Sequence, residues 1–175
     1  MTGKKVDLKR YIRDIPDWPK RGILFRDITP LLSDAGAFSV AVDALCAGFK
    51  KADVDYIAAV EARGFIFGAA VAKKLGVGFV PIRKRGKLPY KTESIGYNLE
   101  YRTDTLEVHI DAVKKGSRVL MVDDLLATGG TMAAACGLIE KIGGRIAGIT
   151  FLIELGELGG RKKLKKYSVK SVLSY

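Results

Sequence analysis

Residues 119–131 join an apolar run, two acids and a turn of small residues, and this segment constrains the fold most. The unbroken apolar run from Val119 to Val122 predicts a strand buried on both faces, as in a parallel sheet covered by helices. The turn that follows leads into an apolar stretch that predicts a helix over 131–142. A strand, turn and helix in this order indicate an α/β fold whose chemistry lies at the carboxyl end of the strand.

The turn has the composition of an anion-binding loop. Ala127, Thr128, Gly129, Gly130 and Thr131 offer successive backbone N–H groups and two hydroxyls where the helix begins. Glycine lets the backbone approach an anion closely, and a helix amino terminus carries about half a positive charge. We therefore expect a phosphate to bind there.

Two acids, Asp123 and Asp124, stand just before this turn. Their oxygens are acceptors for vicinal hydroxyls, either directly or through a divalent cation, so the segment predicts a ribose 5-phosphate site. A Walker P-loop and a dinucleotide fingerprint are excluded because the turn has neither Gly-Lys-Ser/Thr nor Gly-x-Gly-x-x-Gly. The alternative is a tight turn whose acids only cap the helix.

A second turn of the same kind follows an apolar strand earlier in the chain. Glu61, Ala62, Arg63 and Gly64 open a predicted helix over 65–75, which makes a second anion site with an arginine attached. Two such turns on neighbouring strands suit a substrate with two phosphate ends. The alternative here is a helix cap with a surface arginine.

Hydrophobic periodicity predicts the other elements. A βαβ unit over 56–82 implies a right-handed crossover and hence a mostly parallel sheet. Residues 84–104 have little apolar periodicity and predict a mobile lid. The remaining predictions are helices over 4–15 and 37–51, and strands over 105–110, 145–154 and 169–173.

Length and composition limit the class of protein. A chain of 175 residues suits one well-buried domain, here 1–175, and no apolar run is long enough to span a bilayer. The amino terminus lacks the apolar core of a secretory signal, so we expect a cytoplasmic protein. Cys46 and Cys136 stand among apolar residues, and the chain has a single histidine. This predicts buried, reduced thiols rather than zinc ligands or a nucleophile.

The net charge of +11 allows a nucleic acid, an acidic membrane or a small polyanion as partner. Two basic clusters carry much of it, 83–87 and 161–166. The first follows a predicted strand, where α/β sheets bind ligands, so pyrophosphate is a plausible counter-ion. The second predicts the solvated face of a short terminal helix, with RNA contact as a minority alternative.

Five segments in this order, 22–32, 61–68, 82–89, 99–101 and 123–131, resemble the type I phosphoribosyltransferases, and among them those that use adenine. The resemblance implies a single-domain type I phosphoribosyltransferase fold: a central mostly parallel sheet flanked by helices, an amino-terminal helix and base-binding hood over 1–36, and a flexible catalytic lid over 84–104. Ala127 supports adenine, because hypoxanthine-guanine enzymes typically carry an acid there.

The resemblance also implies roles for individual residues. Glu100 would handle a proton near N7 of the purine, and a strained peptide between Glu61 and Ala62 is typical of such enzymes. The ribose and 5-phosphate would be bound by Asp123, Asp124, Ala127, Thr128, Gly129, Gly130 and Thr131. Pyrophosphate would be bound by Glu61, Ala62, Arg63, Arg83, Lys87 and Tyr101. Adenine would lie between a hood of Leu24, Phe25 and Arg26 and an apolar wall at Leu155.

The implied reaction is adenine plus 5-phosphoribosyl 1-pyrophosphate giving AMP and pyrophosphate. Mg²⁺ would be held mainly by substrate, with Asp123 and Asp124 as candidate protein ligands. The resemblance further implies a homodimer, with no membrane or specific nucleic-acid partner. Two alternatives stay open: a nucleotide-sensing regulator built on the same fold, and a transferase for another base.

Overall fold

A computed structural model describes residues 6–98 and 103–175 of the chain. Contacts within the chain define two units, one ending at Ala44 and the other running from Leu45 to Tyr175.

The amino-terminal unit is built on a two-stranded antiparallel ribbon. Asp7 caps a short 3-10 helix, Leu8–Tyr11, by accepting the Lys9 N–H at 3.1 Å. Strands β1 (Arg13–Pro16) and β2 (Leu24–Asp27) then pair with each other. Helices α1 (Thr29–Ser33) and α2 (Ala35–Cys46) follow, and the last two residues of α2 belong to the second unit.

The predicted helix over 4–15 is wrong where the structure describes it, because the chain changes from a 3-10 turn to strand β1. Pro16 is the physical reason, since a residue before proline is driven out of the α region. The segment 22–26, for which the sequence predicted neither helix nor strand, contains most of β2. Helix α2 ends at Cys46, earlier than predicted, and Gly48 follows at a φ of +91°.

The second unit contains one seven-stranded sheet with helices. In chain order, its elements are β3 (Tyr56–Val60), α3 (Arg63–Leu75), β4 (Gly78–Lys84), β5 (Thr92–Asn98), β6 (Thr103–His109), β7 (Arg118–Leu126), α4 (Gly130–Lys141), β8 (Arg145–Glu154) and β9 (Val169–Ser174). The spatial order is β5-β6-β4-β3-β7-β8-β9. Strands β4, β3, β7, β8 and β9 are parallel, and β5 and β6 pair antiparallel at one edge. The predicted mostly parallel sheet is confirmed.

Burial in the core explains why the central strands consist of unbroken runs of apolar residues. Ile57 on β3, Met121 on β7 and Leu152 on β8 are fully buried, as expected for strands packed on both faces. Cys46 and Cys136 are buried and form no disulfide, as predicted for two buried, reduced thiols. None of the helices in the described ranges combines the length and apolar composition needed to cross a bilayer.

The lid prediction needs correction in part. Residues Thr92–Asn98 form strand β5, which pairs along its whole length with β6. The sequence pattern did not indicate this strand because many residues of β5 are polar. An edge strand has less apolar surface to bury. Residues 99–102 of the predicted lid lie outside the described residues.

The basic cluster over 161–166 agrees with its prediction in part. It lies in and directly after a short 3-10 helix, Gly160–Leu164, and its residues are exposed except for the fully buried Leu164. Arg161 is bound to Glu154 at the end of β8, with Nε–Oε1 2.7 Å and Nη2–Oε2 2.8 Å. Arg161 therefore anchors the chain although its side chain is half-exposed.

Candidate active site

The carboxyl ends of β3 and β7 lie side by side because these strands pair in parallel, Ala59 opposite Val122. Each strand runs into a turn and then a helix. A cavity of about 420 Å³ opens between the two turns and is lined by residues 60–64, 123–132 and Phe151. The sheet topology thus brings together the two anion turns that the sequence predicted separately.

The turn after β7 is shaped as expected of a phosphate loop. Gly129 caps helix α4 with a φ of +76°, a conformation that favours glycine, and the helix begins at Gly130. The first N–H groups of a helix lack acceptors within it, so those at the start of α4 are available to an anion. All five predicted residues of this turn, from Ala127 to Thr131, line the cavity.

The two acids lie within β7, which continues to Leu126, and not after its end as the sequence indicated. Removal from water, reinforced by the Asp124 charge, raises the pKa of Asp123 well above its ordinary value. Removal from water also raises the pKa of Asp124, against the opposing charge of Arg63. Two crowded carboxylates are therefore electrostatically costly in the protein alone, and hydroxyl donors or a cation in the cavity would relieve that cost.

The turn after β3 touches these acids directly. Arg63, the first residue of α3, places Nε 2.8 Å from Oδ2 of Asp124. The Glu61–Ala62 peptide bond is cis. Glu61, Ala62 and Arg63 all line the cavity, as predicted for a pyrophosphate site.

The Glu61 side chain has a function that the sequence did not predict. Its Oε1 accepts the Lys84 N–H at 2.6 Å, and its Oε2 accepts from Nη2 of Arg83 at 3.0 Å. Burial raises the pKa of Glu61, but these donors and the Lys87 charge outweigh it, so the net pKa is lowered. The carboxylate thereby ties the cavity turn to the end of β4.

The basic segment after β4 is held as a defined turn. Arg83 also donates from Nη1 to the Lys87 carbonyl at 3.2 Å, and buried Glu107 accepts the Gly86 N–H at 2.9 Å. Arg83 and Lys87 do not belong to the cavity lining. They are connected to it through Glu61.

The predicted base-binding residues are spread over both units. Leu24, Phe25 and Arg26 lie on β2 of the amino-terminal unit, where Phe25 packs edge-on against Trp18 with ring centroids 4.4 Å apart. In the second unit, Leu155 follows β8 and donates its N–H to the Leu126 carbonyl at 2.9 Å, beside the phosphate loop. Glu100 and Tyr101 lie outside the described residues.

Sequence reasoning missed Gly64 as a functional position. A Cβ at Gly64 would lie 2.5 Å from Oδ1 of Asp123, closer than real Cβ contacts. The absent side chain therefore leaves room for a carboxylate of the site. The signal in the sequence was the glycine directly after Arg63, which we interpreted only as part of a helix start.

The acids fit a metal ion that is held mostly by its ligand. Within residues 6–98 and 103–175, no group of three or more His, Cys, Asp and Glu side chains could hold a metal. Mg²⁺ characteristically binds through one or two carboxylates together with substrate phosphates. The crowded pair Asp123 and Asp124 matches that pattern.

Comparisons with known proteins agree with this geometry. The phosphoribosyl transferase domain model matches residues 35–174. An adenine phosphoribosyltransferase of Thermotoga petrophila is 56% identical over 97% of this chain and 100% of its own length. The solved adenine phosphoribosyltransferase of Thermoanaerobacter pseudethanolicus has a TM-score of 0.91 at 54% identity and covers 96% of this chain and 98% of its own.

A third relative was solved with ligands. The adenine phosphoribosyltransferase of Saccharomyces cerevisiae, complexed with an imino-altritol bisphosphate and adenine, has a TM-score of 0.90 at 40% identity. It covers 94% of this chain and 96% of its own. The chain therefore belongs to the adenine phosphoribosyltransferases of the phosphoribosyl transferase family.

Proposed function

We propose that this chain transfers the 5-phosphoribosyl group from 5-phosphoribosyl 1-pyrophosphate to adenine, giving AMP and pyrophosphate. The observation that carries the proposal is the single cavity onto which two anion turns and a pair of acids open, at adjacent strands of a parallel sheet. The donor has a phosphate at one end, a pyrophosphate at the other and ribose hydroxyls between them. Each of these groups has a chemically matched partner in the cavity.

The donor binds across β3 and β7. The N–H groups of 128–131 hold the 5-phosphate at the start of α4, while Asp123 and Asp124 accept from the ribose hydroxyls. The turn at Glu61, Ala62 and Arg63 receives pyrophosphate, assisted by Arg83 and Lys87 and by Tyr101 of the lid. The raised pKa of Asp123 supports this assignment, because a hydroxyl donor relieves a desolvated acid.

Mg²⁺ accompanies the donor in this proposal. Pyrophosphate and ribose hydroxyls supply most of its ligands, and Asp123 and Asp124 are the candidate protein ligands. The cation supplies charge neutralisation to the leaving pyrophosphate when bound.

Leu24, Phe25 and Arg26 are the candidate hood residues for adenine, and Leu155 is the candidate apolar contact in the second unit. Glu100 places a proton near N7 of the purine during bond cleavage and helps to remove it during synthesis. The family motifs at these positions support both roles. Ala127 supports adenine over hypoxanthine and guanine, because it leaves the loop without an acid for the purine ring.

Positioning and electrostatic stabilisation are the main sources of the rate. Cleavage of the anomeric bond gives the sugar oxocarbenium character, which the nearby carboxylates of Asp123 and Asp124 favour. The lid over 84–104 closes and excludes water, which would otherwise hydrolyse the donor. We propose that the active form is a single-domain subunit of a cytoplasmic homodimer, as the family resemblance implies.

Pyrophosphate release tests the proposal. The protein is supplied with the donor and Mg²⁺, and adenine is compared with hypoxanthine, guanine, xanthine, uracil and orotate. We expect release with adenine, loss of release in Arg63→Met, and unchanged release in Lys73→Met, which alters an exposed basic side chain further along α3. Release with another base would overturn the base assignment. No release with any base would favour the regulator, and RNA binding that survives moderate salt would support it further.

A further inference from the structure

The phosphate loop rests on a segment that belongs to none of the motifs described above. Gly160 begins the 3-10 helix after β8 and is buried against the loop backbone. A Cβ at Gly160 would overlap the Ala127 carbonyl oxygen and lie 3.1 Å from the Gly129 nitrogen and 2.8 Å from Cδ1 of Leu126. The backbones of these two segments of the chain are therefore in direct contact, with no room for a methyl group between them.

The contact is reciprocal. A Cβ on Gly129 would overlap the Gly160 carbonyl oxygen and lie 3.1 Å from the Gly160 carbonyl carbon. Gly129 also has the positive φ of the residue that caps α4. Gly160 does not line the cavity, and it packs against the residue whose conformation starts the helix.

Arg161 holds Gly160 in this place. Its guanidinium forms two hydrogen bonds with the Glu154 carboxylate, and Nη1 donates to the Val169 carbonyl at 2.8 Å. These contacts join the end of β8 to the start of β9. Charge pairing raises the pKa of Arg161 and, despite burial, lowers that of Glu154, so both stay ionised at neutral pH.

A second pair of contacts fixes the other end of the segment to helix α4. Glu140 accepts from Nζ of Lys166 at 2.8 Å and from the Tyr167 hydroxyl at 3.0 Å. Leu164 is fully buried between these anchors in the chain. The segment is therefore attached to the sheet on one side and, on the other, to the helix that the phosphate loop begins.

We propose that Gly160 is a positioning residue for the 5-phosphate loop and that Arg161 is its anchor. The segment 160–167 acts as a rigid support that sets the direction of the loop N–H groups. This inference rests on the proposed function only in assigning the 5-phosphate to the loop. It gives the basic cluster at 161–166 a role inside the protein, in place of the RNA contact considered from sequence.

Gly160→Ala tests the support directly. The added methyl displaces the loop, and we expect the Kd for ribose 5-phosphate, measured by calorimetry, to rise roughly tenfold or more because misplacement by about 1 Å weakens a preorganised site strongly. The KM for 5-phosphoribosyl 1-pyrophosphate should rise in parallel, while the KM for adenine stays within about twofold. An unchanged Kd for ribose 5-phosphate would overturn the inference.

Gly144→Ala is the control. Its Cβ would lie 2.7 Å from Cγ2 and 3.1 Å from the carbonyl oxygen of Ile139, a smaller overlap just beyond the far end of α4. This variant should lose stability and keep the Kd for ribose 5-phosphate. An equal loss of binding in both variants would show a general loss of packing, and the inference would be wrong.

Arg161 supplies the second test, for the case in which Gly160→Ala does not fold. Arg161→Met should weaken ribose 5-phosphate binding, and Arg161→Lys should restore part of it, because lysine keeps the charge but not the paired geometry. Equal Kd values for both variants and the unaltered protein would refute the anchor role.

The amide NMR signals of Gly129 and Gly130 separate this inference from the proposed function. They should shift in Gly160→Ala and stay in place in Gly144→Ala, whether or not any ligand binds. If the signals shift but the unaltered protein binds no ribose 5-phosphate, the support is real and the loop assignment is wrong. If they do not shift, the support itself is wrong.

Discussion

Gly64→Ala should separate the assembly of the donor site from the stability of the fold. The new Cβ would lie 2.5 Å from Oδ1 of Asp123, and that oxygen also accepts the Asp124 N–H at 2.9 Å. To reach even 3.0 Å, the Asp123 carboxylate or the start of α3 must move by about 0.5 Å. The carboxylate is the freer of the two, so it leaves the place where it would meet the ribose hydroxyls.

The cost has two parts. Overpacking lowers the free energy of unfolding by about 1–3 kcal/mol. Loss of a hydrogen bond to a charged acceptor weakens donor binding by about 1–3 kcal/mol, which corresponds to a rise of roughly 5- to 150-fold in the KM for 5-phosphoribosyl 1-pyrophosphate. The adenine KM should change little, because Gly64 lies at the donor end of the site.

Steady-state pyrophosphate release at varied donor and adenine concentrations measures both KM values, and urea unfolding measures stability. Gly68→Ala is the control on the same helix, since its Cβ would lie 2.7 Å from Cβ of Ala59 and 2.8 Å from Cε2 of Phe79. It should lose stability and keep the donor KM. If Gly64→Ala keeps its donor KM, or if Gly68→Ala loses it equally, the reasoning about Asp123 is refuted.

Three further changes have defined outcomes. Asp123→Asn should raise the Tm at pH 7, because a carboxyl whose folded pKa is raised loses stability as the pH rises above its unfolded value of 3.8; the donor KM should rise by about tenfold or more, and a lower Tm would contradict the electrostatic argument. Glu61→Gln should lower the free energy of unfolding by about 0.5–1.5 kcal/mol at pH 7 by weakening the contacts with Arg83 and Lys84. That difference should shrink as the pH falls below 4.5 through the lowered folded pKa of Glu61, and urea unfolding at several pH values would detect a difference that persists in acid instead. Glu100→Gln should lower kcat by roughly 100-fold at unchanged Tm, and full turnover in this variant would remove the residue from the proton-transfer step.

The sequence predicted the centre of the second unit well. Strand Arg145–Glu154 has the predicted bounds, strand Tyr56–Val60 begins where the predicted βαβ unit begins, and the helices after both anion turns begin within two residues of their predicted starts. These elements are buried on two faces or open a glycine-rich turn, so local composition and tertiary packing favour the same structure. Their agreement is the physical reason why the donor site could be located from sequence.

Prediction failed where tertiary contacts outweigh local pattern. Residues 13–15 end the segment 4–15, whose apolar side chains have helical spacing, yet pairing with β2 and the following Pro16 make them a strand. Arg161 belongs to a basic run that suggests a solvated face, but its hydrogen-bond partners Glu154 and Val169 lie 7 and 8 residues away in the sequence. Glu61 likewise bonds Arg83, which is 22 residues away. Patterns of neighbouring residues in the sequence do not predict contacts of this kind.

The pairing of β3 with β7 has a consequence for which sugars the protein accepts. Backbone hydrogen bonds keep neighbouring strands about 4.8 Å apart, so the gap between the two anion turns is set by the sheet and not by the loops. The sheet therefore fixes the distance that must separate the two charged ends of a ligand. We expect the protein to select phosphorylated sugars mainly by the distance between their charged ends. Variation in the loops should change the affinity for a donor without changing which distance fits.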